Sequence, residues 1–223
     1  MLMPQEETGQ SHHNTAEIGH VYRDALRLLF ILVHGSVPMD SSGDGWDRVF
    51  RGEKRALAID FWIRYPDYLA DQLLNLYSQT HDSSTLEAAE RIFANNEPDV
   101  RIVKMIRWRR GAYDDLQTSL SVLVYRGLVR SIKRKLPTGG YQYEYLSGAN
   151  AREFLEEAVT EQPTLIWYEN QTQLALMVAQ GKSGSALKDL HYAEEEYAST
   201  PFGATIPAIK HRVLKRIAEI QGI

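Results

Sequence analysis

A mainly helical chain carrying one small antiparallel β-wing is the fold class this sequence predicts, and three observations predict it. First, the apolar residues of Tyr113–Gly127 are Tyr113, Leu116, Leu120, Leu123 and Val124, the spacing of a one-sided helix, and Gly127 supplies its stop. Second, from Leu128 the period becomes alternating: Leu128, Ile132 and Leu136 share a strand face with the stems of Arg130 and Arg134. Pro137-Thr138-Gly139-Gly140 then makes a tight turn, and Tyr141, Tyr143 and Tyr145 alternate with Gln142 and Glu144 on the return strand. Third, most of the remaining chain carries apolar stripes at helical spacing. A helix followed by a two-stranded ribbon is half of a winged helix-turn-helix. The expected organisation is a disordered leader over residues 1–16, a winged-helix domain over 17–160 and a helical C-terminal extension over 161–223.

Taken in order, the leader is polar and has few large apolar residues. Glu17–His34 places Val21, Ala25, Leu28, Leu29, Leu32 and Val33 on one stripe, and Gly35 ends that helix. Ser36–Gly45 is a polar loop, followed by a short helical turn at Trp46–Phe50. Arg51–Tyr65 is a second helix, Pro66 changes the direction, and a third runs from about Asp67 to Tyr77. Ser83 or Ser84 caps a fourth, Leu86–Ala94. Val100–Arg109 alternates and reads as a strand that pairs with the wing, although Ile102, Met105, Ile106 and Arg109 also fit a helical period. After the wing come a helix over Asn150–Val159 and one opened by Pro163 and running to about Gln180. A flexible joint at Gly181–Ser185 leads to a short acidic helix over Ala186–Tyr197. Thr205 and Pro207 begin the last helix, with Ile206, Ile209, Val213, Ile217 and Ile220 in line and Lys210, Arg212, Lys215 and Arg216 on the other face.

Composition bounds the function. Of 223 residues, 43% are hydrophobic and 24% charged, which is ordinary for a globular protein with a real core. There is no cysteine, which removes disulfides, cysteine-ligated metals and cysteine nucleophiles and fits a cytoplasmic location. The longest apolar run, near Leu26–Val33, is too short to span a bilayer, and no signal peptide is expected. The net charge is −4, so any polyanion binding has to come from a local patch. One exists: ten cations fall between Arg101 and Lys135, against Asp114 and Asp115 alone. The candidate DNA-contacting residues are Arg107, Arg109, Arg110, Arg130, Lys133, Arg134 and Lys135, all suited to phosphates. A solvated face, or one that pairs with an acidic protein, is the competing reading. The central helix is a poor base reader, because its first turn is acidic and only Gln117, Thr118 and Ser121 are available to bases.

Catalytic motifs fail individually. Gly181-Lys182-Ser183 resembles the end of a phosphate loop, but Leu176 stands where the first glycine belongs. Pro98-Asp99 is not followed by the acid-x-Lys of a nuclease. His81-Asp82 has no further ligands, Asp40 and Asp44 lack the rest of a calcium loop, and Glu53 and Asp60 read as a charged helix surface. No catalytic residue, metal or cofactor is expected.

Arg55–Leu73 (RALAIDFWIRYPDYLADQL), Val100–Leu116 (VRIVKMIRWRRGAYDDL), then LVYRGLV and YEYLSGANAREFL, together resemble a bacterial winged-helix family. Its members carry a K-L-D-F segment running through two hydrophobic residues into R-Y-P, then R-x-R-Y-G-P before an aromatic residue and Asp. The resemblance covers about Val21–Leu155. Here Ala58 departs from the first pattern, the proline of the second is missing, and Asn150 replaces a glycine. The family looks like the middle component of three-component ABC-ATPase systems and is similar to the accessory subunit of Lamassu-type SMC defence complexes. The resemblance implies a non-enzymatic accessory subunit in antiviral or anti-plasmid defence, partnered by an SMC/Rad50-like ATPase, an effector and non-specific DNA. A stand-alone winged-helix transcription regulator is the alternative, and a nuclease with an unrecognised site a weaker one.

Overall fold

The computed structural model describes residues 9–40, 44–94, 106–107, 116–137 and 139–222, with side chains of the first helix from His20 onward. The element order is α1 (Gly9–His34), β1 (Val37–Pro38), β2 (Trp46–Arg51), α2 (Glu53–Arg64), α3 (Pro66–Thr80) and α4 (Ser83–Ala94). These are followed by α5 (Leu116–Tyr125), β3 (Arg130–Lys135), β4 (Tyr141–Gly148), α6 (Ala149–Glu161) and α7 (Ile166–Val178). The chain closes with α8 (Gly184–Ala193), α9 (Glu195–Ser199) and α10 (Lys210–Gln221). A 3₁₀ turn at Pro163–Leu165 leads into α7. The chain is therefore mainly helical with one small antiparallel sheet of order β1-β2-β4-β3.

The helix at the centre is α2. Ala56, Ala58, Ile59, Asp60, Phe61, Trp62 and Ile63 are all buried, because α1, α3, α7 and α8 pack around it. A helix covered on every side should be apolar all round, and Asp60 breaks that rule. It lies only 2% exposed. Arg27 of α1 donates to one of its oxygens at 2.5 Å, and Arg64, one turn along α2, donates to the other at 2.8 Å. Asp24 completes the set by accepting from Arg27 at 2.8 Å. Burial by itself raises the Asp60 carboxyl, but the two guanidinium groups overcome it and hold the group below its ordinary value.

Several expectations are corrected. Helix α1 begins at Gly9, so residues 9–16 extend the helix instead of forming a leader. Once the buried stripe has nucleated a helix, adding polar residues at its end costs little. Trp46–Phe50 is a strand, because β2 pairs with β4 from Arg51↔Glu144 to Trp46↔Gly148, a long-range partner invisible to local period. Among the described residues the strand beside β4, across from β3, is β2. Ile106 instead bridges Thr205, and most of Val100–Arg109 lies outside the described residues. Asp82, not a serine, caps α4 by accepting from the Ser84 amide at 3.0 Å, while His81 closes α3 in a left-handed conformation.

The helices of residues 161–223 pack against α2 and α3. His191 of α8 sits between Phe61 and Trp62, with ring centroids 4.3 and 4.7 Å away. Arg55 of α2 donates to the Ala179 and Lys182 carbonyls, pinning the joint expected to be flexible, and the Ser183 hydroxyl accepts from the Ala186 amide as the N-cap of α8. The phosphate-loop look-alike is thus a helix joint. Helix α10 begins at Lys210, after Ile209 donates its amide to the buried Asp67 at 2.8 Å. Arg212 and Arg216 are engaged as well as solvent-facing: both reach buried Asp71, and Arg212 also pairs with Glu194 and Glu196 of the acidic triplet.

Two measurements test this core. Asp60→Ala leaves Arg27 as a buried charge without its main partner, and urea denaturation is expected to show a loss of about 3–5 kcal/mol. Burial pushes the His191 imidazole down to about 3 from 6.5. Above 6.5 both folded and unfolded chains hold it neutral, whereas below that value only the unfolded chain takes up the proton. Stability should therefore fall as pH drops, by about 1–2 kcal/mol near pH ~5, and His191→Gln should flatten this part of the pH profile.

Candidate nucleic-acid interface

Helix α5 ends on Gly127, whose φ of 68° needs no Cβ. Its amide donates to the Val124 carbonyl and the Leu128 amide to the Leu123 carbonyl, each at 3.0 Å, the paired bonds of a Schellman stop. This stop turns the chain directly into β3. At the ribbon tip Gly139 and Gly140 both take positive φ, and the Leu136 amide donates to the Gly140 carbonyl at 3.1 Å. The register Arg130↔Leu146 through Lys135↔Tyr141 divides the cations between two faces. Arg130 and Arg134 share a face with Ile132 and Glu144, while Lys133 and Lys135 lie with the tyrosines.

The four cations are exposed, and among the described residues β3 is an edge strand of the sheet. Glu144, 3% exposed, holds the first face: it accepts from Arg134 at 2.9 Å and from Arg51 at 3.3 Å. Arg130 lies 3.7 Å from Asp44, a loose exposed pair. On the other face the Lys133 ammonium sits 4.5 Å from the Tyr141 ring centroid and 5.9 Å from that of Tyr143. Tyr141 remains 62% exposed. Lys135 has no ion pair among the described residues. With Arg51, five cations lie here, and the carboxylates they pair with are the buried Glu144 and the exposed Asp44.

Arg107 is placed elsewhere. It donates to the Ala198 carbonyl at 2.5 Å and to that of Thr200, and its guanidinium lies over the Tyr197 and Phe202 rings at 5.7 and 5.2 Å. Backbone bonds from Arg107 to Ala204 and from Gly203 to Arg107 fix the same junction. It is a tether for the α9–α10 connection. Arg109 and Arg110 lie outside the described residues, as do Asp114 and Asp115. On α5, Thr118 is exposed, Ser121 donates to the Gln117 carbonyl, and Gln117 itself donates to Glu53 at 3.3 Å. Sequence reasoning missed Glu144 and Arg51, because their pairing depends on β2 lying beside β4.

No group of three or more histidine or acidic side chains able to hold a metal occurs among the described residues, and no described helix is long and apolar enough to cross a membrane. No protein family, curated protein or solved structure matches the chain.

The placement of Arg107 is checked by Arg107→Ala. It leaves two carbonyls without their donor, so thermal or urea unfolding should register a loss of about 1–3 kcal/mol, with DNA affinity per folded molecule unchanged.

Proposed function

We propose that the chain is a non-enzymatic winged-helix accessory subunit of a bacterial defence complex. In this reading it docks on an SMC/Rad50-like ATPase and lays its wing along duplex DNA without reading sequence. The observation that carries the DNA contact is the edge strand β3, with Arg130, Lys133, Arg134 and Lys135 exposed beside α5. The strand order supports the winged-helix part. Helix α1, strand β2, helix α2, then after α3 and α4 helix α5, strand β3, turn and strand β4 follow one another, and β4 lies between β2 and β3. That order is the one a winged helix would have if two helices were inserted before its last helix. The ATPase and the defence setting rest on the resemblance of Arg55–Leu73 and the segments after it.

Non-specific contact fits the surface better than operator recognition. The exposed polar side chains of α5 are short or already engaged, and bidentate base readout needs free Arg, Asn or Gln. The cations instead suit phosphates, whose contribution weakens with salt.

Fluorescence anisotropy with unrelated duplexes should give similar affinities that fall steeply as salt rises. Replacing Lys133 and Lys135 together with glutamine should weaken binding to every duplex alike. The log–log salt slope should shrink by roughly one for each phosphate that is no longer neutralised. Arg134→Gln should cost less, since Glu144 already draws on that guanidinium. A strong preference for one palindromic site at physiological salt would favour the stand-alone regulator. Failure to co-purify with the co-expressed ATPase would remove the accessory-subunit reading.

A further inference from the structure

A second surface lies where α5 and Leu128 after it meet α1 and α6. Between α1, α5 and α6 runs a groove of about 440 Å³, walled by Tyr22, Leu26, Leu29, Val122, Phe154 and Ala158. Arg126 is the one charged side chain among its described lining residues. Tyr22 and Phe154 remain 52% and 43% exposed. A contiguous patch of large apolar side chains around a concavity marks a place where another surface is received.

The charge around the groove says what that surface carries. Glu153, Glu157 and Glu161 of α6 are exposed and four residues apart, so they form one row along the helix. That row borders the Phe154–Ala158 row on the solvent side, and none of the three is in an ion pair among the described residues. Three carboxylates without an ion pair among the described residues on one rim, and Arg126 on the other, ask for a mainly basic flank opposite α6. The basic α10 of another copy does not supply it, because Val213 and Ile217 are already buried where α10 packs on α3.

We infer that the groove receives an amphipathic helix of a partner protein, with aliphatic side chains one turn apart and lysine or arginine along the flank that meets α6. Two ridges of α1 and α6 with an apolar floor are the geometry into which such a helix packs. The inference concerns a different face from the wing and holds whether or not the wing binds DNA.

The test uses the full chain and two labelled helical peptides. Both carry leucines at every third or fourth position; one carries lysines along one flank and the other carries glutamates there. Anisotropy should show the lysine peptide binding about tenfold tighter or more. Phe154→Asp, at an exposed position, should abolish binding while leaving circular dichroism and the melting temperature unchanged. Glu153→Lys with Glu157→Lys should reverse the preference between the peptides. Equal binding of both peptides, or binding insensitive to Phe154→Asp, overturns the proposal. So does a concentration-dependent dimer in sedimentation velocity that Phe154→Asp dissolves, since the groove would then belong to a second copy. DNA binding measured on the same variants should be unaffected, which separates this result from that of the wing.

Discussion

One buried carboxylate constrains the arrangement of the rest. Asp60 sits in a stretch of helix that is covered on every side, where an isolated charge would cost far more than the fold has to spare. It is tolerated because α1 delivers Arg27 and α2 itself delivers Arg64, one to each oxygen. Meeting that requirement fixes the rotation of α2 about its axis and the height of α1 along it. With those two helices set, Phe61 and Trp62 face His191, and the C-terminal helices have a defined surface on which to close. The segment Ile59–Pro66, which carries much of the family resemblance, is therefore explained by core chemistry: Asp60 and Arg64 pair, and Pro66 opens α3 at its first position. It speaks to how the protein is built, and only indirectly to what it touches.

The same economy governs the other acids. Asp67 and Asp71 are buried on α3 and hold the approach and the body of α10, Glu194 is shared between Gln72 and Arg212, and Glu144 ties two arginines to the sheet. Many of the carboxylates that make the whole chain acidic thus work inside the fold. What remains outside is uneven: lysine and arginine along β3, glutamate along α6. A bulk charge of −4 conceals two surfaces of opposite sign.

Local signals make the helices and the turn legible. The stripe of α1, the Pro66 break, the glycine stop at Gly127 and the Gly139-Gly140 turn each depend on residues near one another in sequence, and each is readable to within a few positions. The failures share one cause, which is dependence on distant partners. Trp46–Arg51 is too short for periodicity to type, and it becomes a strand only because β4 lies beside it. Arg107 reads as a surface cation and is instead consumed by carbonyls about ninety residues later. The pairing of Arg212 and Arg216 is not readable because the aspartate that claims them lies on α3, far back in the chain. The four ribbon cations are legible as a cluster, but their division into two faces requires the register.

The position of β3 has a further consequence. Among the described residues it is an outermost strand of the sheet, and the row of backbone amides and carbonyls on such an edge invites another strand to zip onto it. Like charges along Arg130–Lys135 make two copies repel before their backbones meet. Whatever else they bind, these side chains act as gatekeepers against edge-to-edge aggregation, so a variant stripped of all four would lose solubility along with its charge.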